Sequence, residues 1–147
     1  MIAYCDGACR VSNPGICSCA FVICITNGED DMLYYKYEHK RYLGPELHTN
    51  NFAEYNGLLD LLKWAEESGV HDLDIRCDSQ LIVKQVNGVW GVKHEELRSL
   101  HTLATALMIR GGHTLNWVRG HNGDPGNEFV DKLCNEVLDE KLGTNKK

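Results

Sequence analysis

RYLGPELHTNNFAEYNGLLDLLKWAEESG, residues 41–69, is where the chain changes its period. Up to Leu43 the pattern is that of a strand: the run from Met32 to Leu43 alternates and carries Tyr34, Tyr35, Tyr37 and Tyr42. From Thr49 the pattern is helical. Thr49-Asn50-Asn51 supplies the side-chain oxygens of a helix N-cap, and Leu58, Leu61, Leu62 and Ala65 recur at the spacing of one apolar stripe. Ser68-Gly69 ends the helix near Glu67.

Outward toward the N-terminus, the strand signals continue. ICSCAFVICIT (Ile16 to Thr26) is a β-rich run, and Asn27-Gly28 after it is a hairpin-turn signal. MIAYC opens the chain as a short strand ending at Asp6-Gly7, before the turn cluster Ser12-Asn13-Pro14-Gly15. These three runs predict an antiparallel three-strand meander. Outward toward the C-terminus, strands and helices alternate: a strand Leu73–Cys77, a helix from Ser79 to Val86 ended by Asn87-Gly88, and a helix from Glu95 to Ile109 broken by Gly111-Gly112. A strand Thr114–Arg119, the glycine-rich loop GHNGDPGN and a last helix from Asn127 to Leu142 follow, with GTNKK (residues 143–147) expected as a frayed tail. The order βββαβααβα predicts one α/β domain over residues 1–147, a mixed sheet flanked by helices.

At 147 residues, 43% hydrophobic and 24% charged, the chain is long enough to bury a full core. No apolar stretch approaches the roughly 18 to 20 residues that span a bilayer, and the N-terminus has neither the basic nor the apolar region of a signal peptide. A cytoplasmic location and no membrane partner are the expectation. Seven cysteines (Cys5, Cys9, Cys17, Cys19, Cys24, Cys77, Cys134) without a secretion signal favour buried, reduced thiols over a disulfide framework or a zinc site, because no paired CxxC is present. The net charge of −6 argues against a partner rich in phosphate, unless a site collects acids in order to hold cations.

Four acids invite that reading. Asp6 and Asp78 each follow an apolar strand, where ligand sites of α/β sheets gather. Glu54 lies four residues before Leu58 and seven before Leu61, on the sheet-facing edge of its helix, and an inward carboxylate is costly unless it is paired, protonated or metal-bound. Asp131 stands three before Cys134 and seven before Leu138, at the margin of the last helix's apolar face. Singly, each has a plain structural use as a turn acid, cap or first-turn acid, and spacing alone does not bring the four together.

The surrounding motifs do. Asp6-Gly7-Ala8-Cys9 with Asn13-Pro14-Gly15, TNNFAEYNGL (49–58), CDSQLIVKQVNG (77–88) and WVRGHNGDPGNEFVDKL (117–133) resemble the motif blocks of type 1 ribonuclease H, in family order and over nearly the whole chain. The resemblance implies the ribonuclease H-like fold, a five-stranded mixed sheet with the first and fourth strands side by side. It also implies hydrolysis of the RNA strand of RNA–DNA hybrids, leaving 5′-phosphate and 3′-hydroxyl ends. By motif position Asp6, Glu54, Asp78 and Asp131 match the family's metal-binding carboxylates, and His121 matches its mobile histidine, which assists proton transfer or product release. Two Mg²⁺ per site, with Mn²⁺ as a substitute, would serve the attacking and leaving oxygens of an in-line displacement. Asn13, Asn50 and Asn51 match positions that read the hybrid across its minor groove, where the 2′-hydroxyl marks RNA; Thr49 matches a position on a DNA-strand phosphate.

The departures are as specific. VNGVWGVKHEEL (86–97) runs straight through where many relatives carry a basic, Trp-rich insertion, so the chain resembles a short form. His94 stands where relatives often have asparagine beside the phosphate pocket, and Leu47 where some carry arginine. No hybrid-binding domain is expected before Met1, and a monomer is expected. The competing readings are a related nuclease with relaxed substrate choice, cutting double-stranded RNA or DNA junctions, and a non-catalytic hybrid- or RNA-binding module. Acids at all four positions disfavour pure binding, which basic residues would serve better.

Overall fold

A computed structural model describes residues 1–26, 32–120 and 123–143. Its elements are β1 (Ile2–Arg10), β2 (Ile16–Thr26), β3 (Leu33–Tyr42), α1 (Asn50–Ser68), β4 (Asp74–Cys77), α2 (Gln80–Val86), α3 (Glu95–Gly111), β5 (Thr114–Trp117) and α4 (Pro125–Leu142). The predicted order βββαβααβα stands. The Asn27-Gly28 turn and residues 144–147 of the expected tail lie outside the described residues.

One sheet holds all five strands in the order β3-β2-β1-β4-β5. β1, β2 and β3 form the antiparallel meander, whereas β4 runs parallel to both β1 and β5. Strand alternation sorts the side chains into two layers. Ala3, Cys5, Phe21 and Ile23 face α1, α2 and α3 in the larger core; Tyr4, Ala20, Val22 and Cys24 face α4 with Val130, Leu133 and Cys134. No helix among the described residues is long and apolar enough to cross a membrane.

Several boundaries differ from the sequence reading, and three of them bear on the site. β1 does not stop at Asp6-Gly7 but continues to Arg10, paired with β2 throughout. Gly7 is not a turn residue: a Cβ there would overlap the backbone of Ala53 and Glu54, so the glycine lets α1 settle onto the strand. α4 starts at Pro125 rather than Asn127, because Asp124 accepts the Gly126 and Asn127 amides as N-cap and proline suits the first helical turn. β5 ends at Trp117, two residues short of Arg119.

The cysteine expectation needs one correction. Cys5, Cys19, Cys24, Cys77 and Cys134 are free and buried, but Cys9 and Cys17 are joined in a disulfide. The β1–β2 register sets these two directly opposite one another, with Cα atoms 4.0 Å apart, a pairing that depends on strand alignment and not on the spacing of cysteines along the chain.

Candidate active site

The site is built where β1 outruns β4. The parallel ladder between them ends at Cys5 opposite Cys77, so Asp6, the next residue of β1, has no strand beside it on that flank. Asp78, the residue after β4, and Glu54, from the first turns of α1, meet it there. One carboxylate oxygen from each of Asp6, Glu54 and Asp78 lies within 4.8 Å of the others.

Packing enforces that approach. Gly7 admits the first turns of α1, and Gly57 lies so close to the Asp6 carbonyl oxygen that a Cβ would overlap it. Ile82 N–H donates to the Ser79 hydroxyl, which caps α2, and Ser79 also hydrogen-bonds the Glu54 carboxylate. Asp6 Oδ1 accepts the Gly7 amide at 2.9 Å, and Asp78 Oδ2 accepts the Asn127 side-chain amide at 3.3 Å.

Like charges at this distance, out of water, hold protons. Asp6 is only 4% exposed, and burial, reinforced by the charges of Asp78 and Glu54, raises its carboxyl well above the usual range. Burial pushes Glu54 up to about 7, aided by Asp78 and opposed by the Ser79 hydrogen bond. A divalent cation would take the place of those protons and relieve the repulsion, and an all-oxygen donor set suits a hard ion of the Mg²⁺ or Mn²⁺ kind. Asp131, half-buried on α4, stands further off. Its charge contributes to the rise at Asp6, yet it is not one of the three whose oxygens converge.

The remaining candidates form a rim at the same end of α1. Thr49 is the α1 N-cap, its hydroxyl accepting the Phe52 amide at 3.1 Å. Asn13, exposed on the β1–β2 turn, accepts the Asn50 amide at 2.9 Å through its Oδ1. Thr49, Asn51 and His94 line one small hollow with Glu96 and Leu97. Asn51 and His94 also border a cavity of about 500 Å³ walled by Leu81, Gln85, Val89, Trp90 and Lys93. Asn50 is exposed beside them, and His121 lies outside the described residues. The segment between α2 and α3 is short and tied down: Val89 and Trp90 amides reach the Lys84 carbonyl, and the Lys84 ammonium stands 5.7 Å from the Trp90 ring.

Sequence reasoning missed Asn127, which is 3% exposed and touches Asp78, although its place at the start of the last helix beside an Asp-Pro cap was a usable signal. It also missed Gly7 and Gly57 as close-approach residues, since a glycine read alone is a turn signal.

The comparisons with known proteins agree with this geometry. The RNase H family model matches residues 1–139. Ribonuclease HI of Halobacterium salinarum is 34% identical over 94% of this chain, which spans 64% of that protein's length. The crystal structure of RNase H1 from Halobacterium salinarum superposes with a TM-score of 0.78, covering 95% of this chain and 97% of that one. Ribonuclease H of Polaromonas naphthalenivorans is 31% identical over 97% of this chain and 89% of its own length. LC11-RNase H1, solved in complex with an RNA/DNA hybrid, is 27% identical with a TM-score of 0.80, covering 96% of this chain and 98% of that one. With its carboxylates gathered at the flank of the central strand and the family's sequence pattern running from residue 1 to residue 139, the chain belongs to the RNase H family.

Proposed function

We propose that this chain, as one catalytic domain over residues 1–147, hydrolyses the RNA strand of RNA–DNA hybrids and leaves 5′-phosphate and 3′-hydroxyl ends. The observation that carries the reading is the convergence of Asp6, Glu54 and Asp78 within 4.8 Å in a chain of this family. Two Mg²⁺, replaceable by Mn²⁺, would be held by these three acids with Asp131 completing the set, and would supply charge stabilisation to the attacking and leaving oxygens.

The protein's own groups do the rest. Asp6, the most buried of the three acids, would help hold the ions together with its neighbours. Glu54 and Asp78 flank it from α1 and from the end of β4, and Ser79 fixes the Glu54 carboxylate. His121 assists proton transfer or product release. Asn13, Asn50 and Asn51 read the hybrid, and Thr49 and His94 hold a backbone phosphate; their common position around the N-terminus of α1 supports this, since helix N-termini favour phosphate oxygens. Without a basic insertion, affinity is modest and falls with salt. The enzyme works as a monomer in the cytoplasm.

The test is to incubate RNA–DNA hybrid, double-stranded RNA and duplex DNA with Mg²⁺, Mn²⁺ or EDTA. Chelator-sensitive loss of the RNA strand of the hybrid is the expected result, and Asp6→Asn should lower the rate by roughly 10³-fold or more, about 4 kcal/mol of barrier. Cutting of duplex DNA alone, or an Asp6→Asn protein with full Mg²⁺-dependent activity, would overturn the assignment.

A further inference from the structure

Asn127 is an amide with no role assigned so far. It stands on the first turn of α4, 3% exposed, and its Nδ2 donates to Asp78 Oδ2 at 3.3 Å. Its Oδ1 is buried and meets no donor among the described residues. A buried acceptor left without a partner costs about 1–3 kcal/mol, so core stability alone does not account for an amide at this position.

Its placement is held from several sides. Asp124 accepts the Gly126 amide at 3.1 Å and the Asn127 amide at 3.4 Å. The Tyr4 hydroxyl, on a residue 1% exposed, hydrogen-bonds Asp124 and accepts from Arg76 at 3.2 Å; Arg76 in turn is tied to Asp74 at 2.9 Å. Gly126 lies on the Tyr4 ring so closely that a Cβ would overlap it. The first turn of α4 is therefore clamped to β1 and β4, and the clamp delivers the Asn127 amide to Asp78. From the other flank, the Trp117 indole N–H donates to the Asp78 carbonyl at 3.2 Å.

We propose that Asn127 is a positioning residue, whose N–H donor holds one oxygen of Asp78 and so orients that carboxylate toward Asp6 and Glu54 for cation binding. A neutral donor suits this task. It fixes a carboxylate without cancelling charge, whereas lysine or arginine in its place would compete with the cation for Asp78. The inference rests on the reading of these three acids as a cation site.

The test is Mn²⁺ binding to the substrate-free protein, followed by titration calorimetry, alongside hybrid-cleavage kinetics and melting in EDTA. For Asn127→Ala the expected result is roughly tenfold weaker Mn²⁺ binding and a kcat lower by about 10- to 100-fold. KM for hybrid should stay within about twofold, and melting in EDTA should be no lower than in the wild type. Asn127→Asp, which keeps the shape and removes the donor, should lose more, because it adds a charge beside Asp78; it carries the same test should the alanine protein not fold. In an Asp78→Asn background, loss of Asn127 should weaken Mn²⁺ binding no further, and an undiminished further loss would overturn the proposal. Variants that match the wild type in Mn²⁺ affinity and kcat would sink this inference alone. A wild type that binds no Mn²⁺ would sink the cation site and this inference together.

Discussion

The acids at the flank of β1 and the polar rim around the N-terminus of α1 sit side by side, yet they are held in opposite ways. The rim is tied down by hydrogen bonds: the Thr49 hydroxyl caps its own helix and Asn13 Oδ1 accepts the Asn50 amide. The acids are not. Glycines that let α1 press onto β1 force Asp6, Glu54 and Asp78 together at an electrostatic cost, relieved by protons or by a cation. Hydrogen bonds set the rim, whereas the packing of α1 on β1 sets the cluster of acids.

The hardest blow to that contrast is steric. Gly7→Ala should destabilise the fold by roughly 3 kcal/mol, since the new Cβ meets backbone that has no side-chain freedom to yield, and urea unfolding measures it. A near-wild-type midpoint would show that α1 is not held in place by this contact. Next comes Asp6→Asn, which should melt higher than the wild type in EDTA while losing activity, because it removes a buried like charge and keeps the acceptor for the Gly7 amide. An unchanged or lower melting temperature would mean that the acids do not strain the metal-free protein.

A pH series sharpens the same point. Glu54 titrates near 7 in the folded chain, and its ordinary value lies near 4.5. Between those values the folded state binds more protons than the unfolded one, so the linkage slope is negative. Stability contributed by this group is fully present below about 4.5 and is lost as pH rises through about 7. In EDTA the melting temperature should therefore drift down across that window, and Mg²⁺ should raise it more at pH 8 than at pH 6. A Mg²⁺ effect independent of pH would separate cation binding from these carboxylates. The smallest change is expected at the rim: Thr49→Ala should cost about 1 kcal/mol through the lost cap, read from chemical denaturation.

Much of this was legible in the sequence, and the omissions share a cause. The element order followed from period changes such as the one at Thr49, and the candidate acids stood out because Glu54 faced inward on its own helical stripe. What stayed hidden depended on the partner of a residue rather than its neighbours in the chain. Gly7 read as the end of a strand because the helix pressing on it is some 45 residues away in sequence. Cys9 and Cys17 became a pair only through the β1–β2 register. Asp131 stood level with the other acids in the sequence reading, and only the packing of α4 sets it farther from the convergence point.

That last helix has a consequence for how the protein would fail. Among the described residues α4 lies alone on its side of the sheet, over the smaller of the two cores, while α1, α2 and α3 share the larger one. It nonetheless carries Asn127 and Asp131. Partial opening of the C-terminal helix, or its loss to a protease, would leave most of the sheet and its larger core folded but silence the enzyme, so inactivation should precede global unfolding on heating. Amide exchange along α4 would report that early event before any melting curve does.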